Sequence, residues 1–172
     1  MIVYACQAVR RLYPQVLRDS KSLVTVLESA SVSRHAFLVT FDVENMYPSI
    51  DNRAAIDACA QAAHRCGTNG GMVTTMSDLI MLNGYCQAEG AYYQQISGTV
   101  MGTPVAPPYS NIYIAEALEA VVKANSSYWP VIYKRFIDDG FFVGDRPAID
   151  SMVTQLESEG LKLKVKHNME DY

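Results

Sequence analysis

Two apolar runs that each end on aspartate constrain this chain more than any other feature: Phe41-Asp42-Val43-Glu44-Asn45-Met46-Tyr47-Pro48, and Phe136-Ile137-Asp138-Asp139. A strand delivers its last residues to a sheet edge or a turn, so each run would carry its carboxylate to such a place. Carboxylates placed this way can share metal ions. Hard cations such as Mg²⁺ take oxygen donors, usually one or two carboxylates completed by a substrate's phosphates. Two such ions about 3.5 to 4 Å apart serve in-line phosphoryl transfer. Converging carboxylates repel one another, and bound cations are what would keep them all ionised.

The rest of the chain is compatible with that chemistry. Its 172 residues, 49% apolar, make about one domain with a sizeable core, which excludes a disordered chain. Fourteen basic against 18 acidic residues, a net charge of −4, exclude a protein that coats nucleic acid through bulk positive charge. They do not exclude a nucleotide enzyme, whose carboxylates contribute to the total. The start, Met1-Ile2-Val3-Tyr4-Ala5-Cys6, leads into Arg10-Arg11 with no long apolar stretch behind a basic start, so no signal peptide is expected. No window approaches the roughly 18 apolar residues of a spanning helix, so no membrane insertion is expected. Cys6, Cys59, Cys66 and Cys86 show no metal-ligand spacing and read as buried thiols in a reducing compartment. An intracellular, non-secreted protein is the expectation, with nucleus or cytoplasm left open.

The periodicity predicts alternating elements without an internal repeat. A helix is expected over about 19–29 with Ser20 as its cap, then a strand over 36–43. Pro48-Ser49-Ile50-Asp51 reads as a helix start, and the Ala-rich stretch from Arg53 to Arg65 as a closely packing helix ended by the Gly67–Gly71 cluster. A helix over 74–86, a short strand over 91–96, a glycine-bearing loop over 97–104 and a long helix to about Lys123 follow. Strands over 131–137 and 141–143 would flank a tight turn at Asp138-Asp139-Gly140. A helix over 147–158 and a strand over 161–166 close the pattern. Elements mix without strict βαβ alternation, so the fold class is α+β.

The residues Phe41 to Ile50, then Gly98-Thr99-Val100-Met101-Gly102-Thr103-Pro104-Val105-Ala106-Pro107, then Arg135-Phe136-Ile137-Asp138-Asp139 resemble motifs A, B and C of the reverse transcriptases. The likeness is closest to those of Penelope-like retroelements. Arg18-Asp19-Ser20-Lys21 resembles the stretch that precedes motif A in that group, and Glu159-Gly160-Leu161-Lys162-Leu163-Lys164 resembles motif D. The likeness covers most of the chain from about residue 18.

That resemblance implies a right-hand polymerase palm, a ferredoxin-like antiparallel sheet with packed helices, plus partial fingers. As a domain it implies one partial reverse transcriptase domain over 1–172: about 1–35 a fingers remnant, about 36–172 palm with part of the fingers. The chain ends soon after motif D, so the thumb and primer grip are expected to be absent. Asp42 and Asp138 would be the principal metal ligands, Asp139 the accompanying carboxylate, and the Val43 carbonyl a backbone ligand, for two Mg²⁺ ions with Mn²⁺ as a substitute. Tyr47 would be a steric gate that collides with a 2′-hydroxyl and selects deoxynucleotides by exclusion. Gly98, Met101 and Gly102 would lie at the incoming nucleotide, the glycines letting backbone come close. Lys162, Lys164 and Lys166 alternate along the last strand and would share a face; one of them would protonate the pyrophosphate, or all three protect a solvated edge. Lys134 and Arg135 would touch template or primer phosphates, or serve as plain surface charges. His35, His64 and His167 share no ligand spacing, and Tyr92, Tyr93, Tyr128 and Trp129 read as core. Gly140, where relatives carry a bulkier residue, would loosen the hairpin.

The implied activity is RNA-directed DNA polymerisation, with an RNA template, a DNA primer and deoxynucleotides as partners. A truncated or domesticated palm that binds without turning over is the alternative. An RNA-templated RNA polymerase shares the metal logic, and Tyr47 counts against it.

Overall fold

The computed structural model describes residues 12–120, 123 and 130–167. Arg10, Arg11, Cys6, Tyr128 and Trp129 lie outside them. The chain divides into two compact units: residues up to Tyr13 with Asn45–Leu118, and Pro14–Glu44 with the stretch from Glu119 onward. Among the described residues no helix is long and apolar enough to cross a membrane.

The second unit is built on a four-stranded sheet. Its strands are β1 (Phe37–Val43), β4 (Ile132–Phe136), β5 (Asp139–Gly144) and β6 (Leu163–His167), in the spatial order β4-β5-β1-β6. All three pairings are antiparallel. This is the strand order expected of a ferredoxin-like sheet.

The register assigns a face to each residue, since directly opposed residues share a face and neighbours alternate. Phe41 pairs with Gly140 and Val165, Val39 with Phe142, and Phe142 with Tyr133. Except at the half-buried Val165 that face is buried, and its aromatic rings stack, Phe41 on Phe142 at 4.7 Å and Phe142 on Tyr133 at 5.2 Å between centroids. On the other face Ile132, Phe141 and Val143 are covered by Leu23 and Val26 of α1 (Ser20–Ser29) with Ala30 and Ala36. Asp19, not Ser20, caps α1: its carboxylate accepts from the Ser22 amide and hydroxyl, which hold it below the usual carboxylate range. Helix α6 (Arg146–Ser158) buries Ala148, Ile149, Met152 and Leu156 and packs along β5.

Further expectations fail in this unit. The hairpin turn is Ile137-Asp138, because Phe136 pairs directly with Asp139, so Asp139 and Gly140 lie in β5. Lys162 precedes β6, which starts at Leu163. Gly140 does not loosen the hairpin: an added Cβ would lie 1.8 Å from the Phe41 ring, which occupies the space a side chain would need. Overpacking of this kind costs about 1–3 kcal/mol. Gly140→Val is therefore expected to lower stability by at least that amount in urea unfolding, and Phe41→Leu in the same chain to recover part of it. A purely additive double variant would show that the ring is not the obstacle.

The first unit is mainly helical. A short helix α2 (Met46–Ser49) precedes α3 (Asn52–Arg65), capped by the Asp51 carboxylate, and α4 (Gly70–Met81), capped by Asn69. The small residues Ala55, Ala58, Ala62 and Ala63 of α3 are buried, and α3 packs on α4 and on α5 (Ala106–Tyr113). Gly70 and Gly71 open α4 rather than ending α3. The Gly70 Cα faces the Ala60 carbonyl so closely that a Cβ would stand 2.9 Å from its oxygen.

Expected as helix to residue 86, the chain instead ends α4 at Met81 and forms β2 (Tyr85–Ala88), paired with β3 (Ala91–Gln94). Glu89 and Gly90, both with positive φ, make the two-residue turn. Glutamate is an unusual first residue there, where Asn, Asp or Gly would have signalled the hairpin. Tyr92 and Tyr93 are exposed, not core. Cys59 is buried, but Cys66 is only half-buried and Cys86 exposed. After α5 the chain widens into a π-helix over Ile114–Glu119 where a regular helix was expected.

A carboxylate face and a glycine-locked loop

Asp42 lies at the end of β1, directly opposite Asp139 of β5 on one side and Lys164 of β6 on the other. Directly opposed residues point to one face, so the two carboxylates and the ammonium share it. Asp138 sits in the turn beside them. The turn is stitched to β1 by the Val43 amide, which donates to the Asp138 carbonyl at 2.9 Å, and β1 to the approach of β6 by the Glu44 amide, which donates to the Lys162 carbonyl at 2.8 Å. Asp42 and Asp138 are half-buried and Asp139 is exposed. The Val43 side chain is buried, so only its backbone is available to an ion.

A cavity of about 320 Å³ opens on this face, lined among others by Thr40, Asp42, Lys134, Phe136, Asp139 and Lys166. The donor chemistry is all oxygen, as Mg²⁺ and Mn²⁺ require. Among the described residues no three Asp, Glu, His or Cys side chains close round a single point. That does not exclude Mg²⁺, which keeps waters and is commonly held by one or two carboxylates plus phosphates. The set fits a shared, substrate-completed site rather than a closed protein cage.

The lysines separate. Lys164 and Lys166 stand in β6, opposite Asp42 and Thr40, on the carboxylate face, while Lys162 lies before the strand. Lys134 lines the cavity and donates its Nζ to the Pro14 carbonyl at 2.8 Å.

Arg135 is a correction. Its side chain is 0% exposed, and its Nε donates to Glu119 Oε1 at 2.7 Å. A guanidinium closed inside the core cannot reach a template or primer phosphate. Glu119, equally buried, also accepts from the Tyr133 hydroxyl at 2.6 Å and from Gln15 Nε2 at 2.8 Å. Burial first, and the Glu119 charge second, push the Tyr133 phenol well above its ordinary range. Sequence reading missed Glu119; its one signal was a carboxylate beside Leu118 on an otherwise apolar helix stripe.

Tyr47, Gly98, Met101 and Gly102 all belong to the first unit. Tyr47 is half-buried in α2, and its carbonyl accepts from the Thr99 amide at 2.8 Å. Gly98 is buried with φ +76°, and a Cβ on it would stand 2.8 Å from Pro48 Cα and 2.9 Å from the Tyr47 carbonyl oxygen. A glycine is therefore what the close approach to the backbone of the tyrosine segment requires. A left-handed conformation alone would cost a side chain there about 1–2 kcal/mol. The Gly98 carbonyl accepts from Asn52 Nδ2 at 2.7 Å and Gln95 Nε2 at 3.0 Å, two residues that carried no sequence signal. Met101 and Gly102 are exposed, and nothing crowds Gly102.

No protein-family model and no curated protein matches the chain. Solved structures do. Telomerase from Candida tropicalis truncated of its C-terminal domain superposes with a TM-score of 0.69 at 11% identity, over 99% of this chain and 40% of its own. Telomerase from Candida albicans, in complex with a fragment of telomeric RNA, gives 0.69 at 11% identity over 96% of this chain and 34% of its own. The RNA polymerase complex inside a double-stranded RNA virus gives 0.54 at 11% identity, over 78% of this chain and 15% of that one. The chain thus spans 34–40% of the length of these telomerases. The fold is similar to part of these telomerases and, more distantly, to part of this viral RNA polymerase complex.

Proposed function

We propose that this chain is the nucleotide-adding palm, with part of the fingers, of an RNA-directed DNA polymerase of the Penelope-like retroelement type. The observation that carries the reading is the placement of Asp42 beside Asp139, with Asp138 in the adjoining turn, at one end of an antiparallel sheet. The telomerase-like fold supports it.

Asp42, Asp138, Asp139 and the Val43 carbonyl would hold two Mg²⁺ ions, with Mn²⁺ able to replace them. Bound there, such cations supply charge neutralisation and a more acidic primer 3′-hydroxyl. The chain's own work is positioning and proton supply. Lys164 and Lys166 stand on the carboxylate face, and either would be the proton donor to departing pyrophosphate. Lys134 offers charge for a template or primer phosphate. Gly98 fixes the Thr99 amide on the Tyr47 carbonyl, which sets the backbone of the residue assigned as steric gate. Met101 and Gly102 provide the exposed stretch of the same loop for the incoming nucleotide.

The test is extension of a DNA primer on an RNA template with Mg²⁺, supplied with deoxynucleotides or with ribonucleotides. Deoxynucleotides are expected to be incorporated, and Tyr47→Ala to narrow the preference for them by at least about tenfold, roughly 1.4 kcal/mol. Incorporation of ribonucleotides alone would make the chain an RNA polymerase. RNA binding without incorporation of either would make it a binding module.

A further inference from the structure

The hairpin that carries Asp138 is built in an unusual way. Phe136 pairs with Asp139, leaving Ile137 and Asp138 as a two-residue turn. Such turns need positive φ at their first residue when the second is not left-handed, a position normally filled by glycine. Here it is Ile137, with φ +57°. A β-branched residue there is strained and persists only where its surroundings over-determine it.

The surroundings are in plain view. Arg135 donates from Nη1 to the Ile137 carbonyl at 2.8 Å and from Nε to Glu119 Oε1 at 2.7 Å, so one planar fork ties the turn to a buried carboxylate. Glu119 is held in turn by Tyr133 and Gln15. The backbone of Arg135 is clamped as well: its amide donates to the Gln15 carbonyl at 2.9 Å, and its carbonyl accepts from the Leu17 amide at 2.7 Å. Arg135, Glu119 and Tyr133 are buried and do not line the carboxylate cavity, whereas Leu17, which holds the Arg135 carbonyl, does. A buried ion pair is weak evidence for stability, because apolar replacements often serve as well. An apolar side chain could not hold a carbonyl.

We propose that Glu119 and Arg135 are positioning residues that hold the Ile137-Asp138 turn in its strained form and so set the place of the Asp138 carboxylate. What the turn is for rests on the polymerase reading; that the pair governs the turn does not.

The test compares the full chain with Arg135→Lys, which keeps the charge but loses the fork. Backbone resonances of Ile137 and Asp138 report the turn, and Mn²⁺ titration followed by electron paramagnetic resonance reports the carboxylates. The folded Arg135→Lys chain is expected to show shifted or split turn resonances and a Mn²⁺ affinity weakened by about 10–100-fold, as when a supporting residue of a metal site is lost. Adding Ile137→Gly, which needs no restraint at positive φ, is expected to restore both. Unchanged turn resonances in folded Arg135→Lys, or no recovery with Ile137→Gly, would overturn the proposal. Should Arg135→Lys fail to fold, Glu119→Gln with Arg135→Met removes both charges while the amide still accepts from Tyr133 and Gln15, and the same readouts apply. A wild-type chain that binds no Mn²⁺ would count against the polymerase reading, while the turn resonances would still decide this one.

Discussion

Glu119→Ala is expected to lower the unfolding free energy by about 3–5 kcal/mol, the usual consequence of removing one partner from a buried ion pair. The loss is large because of what is left behind. Arg135 would remain 0% exposed with a full charge and no carboxylate on its Nε, and the Tyr133 hydroxyl and Gln15 amide would each lose an acceptor. Urea unfolding of the whole chain gives the number directly. Glu119→Gln should cost less, because the amide oxygen still accepts hydrogen bonds. Exposed pairs behave differently: Arg53 with Asp78 is solvent-screened and should change stability by no more than about 1 kcal/mol when broken. A loss below that level for Glu119→Ala would mean that water reaches the network and that Arg135 is not locked.

Removing the face carboxylates should do the opposite. Asp42→Asn and Asp138→Ala are each expected to lower nucleotide addition by about a thousandfold or more, roughly 4 kcal/mol of barrier, if they hold the cations. Stability should not fall with activity. Asp42 faces Asp139 directly across the β1 and β5 pairing, and opposed like charges destabilise a sheet by roughly 0.2–1 kcal/mol. Lys164 on the other side of Asp42 offsets part of that repulsion. Neutralising Asp42 in the metal-free protein is therefore expected to leave stability unchanged or raise it slightly, the trade expected where a site is organised for a ligand rather than for the fold. A matching loss of stability and activity would recast Asp42 as a structural residue.

The sequence made the carboxylate face legible because strands end where apolar runs end, and the two runs with their aspartates were intact in β1 and at the β4–β5 hairpin. The α+β class and the placement of β1, α3, α6 and β6 followed from periodicity and capping residues. What periodicity does not encode is pairing. The one-residue difference that puts Asp138 in the turn and Asp139 in the strand is set by the register of Phe136 with Asp139, and only the assembled ladder shows it. The β2–β3 hairpin was hidden because Glu89 takes a left-handed conformation usually given to Asn, Asp or Gly. Arg135 looked like a surface cation because its partner Glu119 is 16 residues away on another element. Gly140 looked like a weakness because its compensation, the Phe41 ring, comes from a neighbouring strand.

The most direct measurement is single-nucleotide addition to a DNA primer on an RNA template, with the full chain in excess and Mg²⁺ present, run beside Asp138→Ala. The account predicts a deoxynucleotide added by the wild-type chain and none detectable with Asp138→Ala, both proteins being equally folded. Addition at equal rates by the two chains would contradict the assignment of the carboxylate face, and absence of addition by a folded wild-type chain that still binds the primed RNA would contradict the polymerase reading itself.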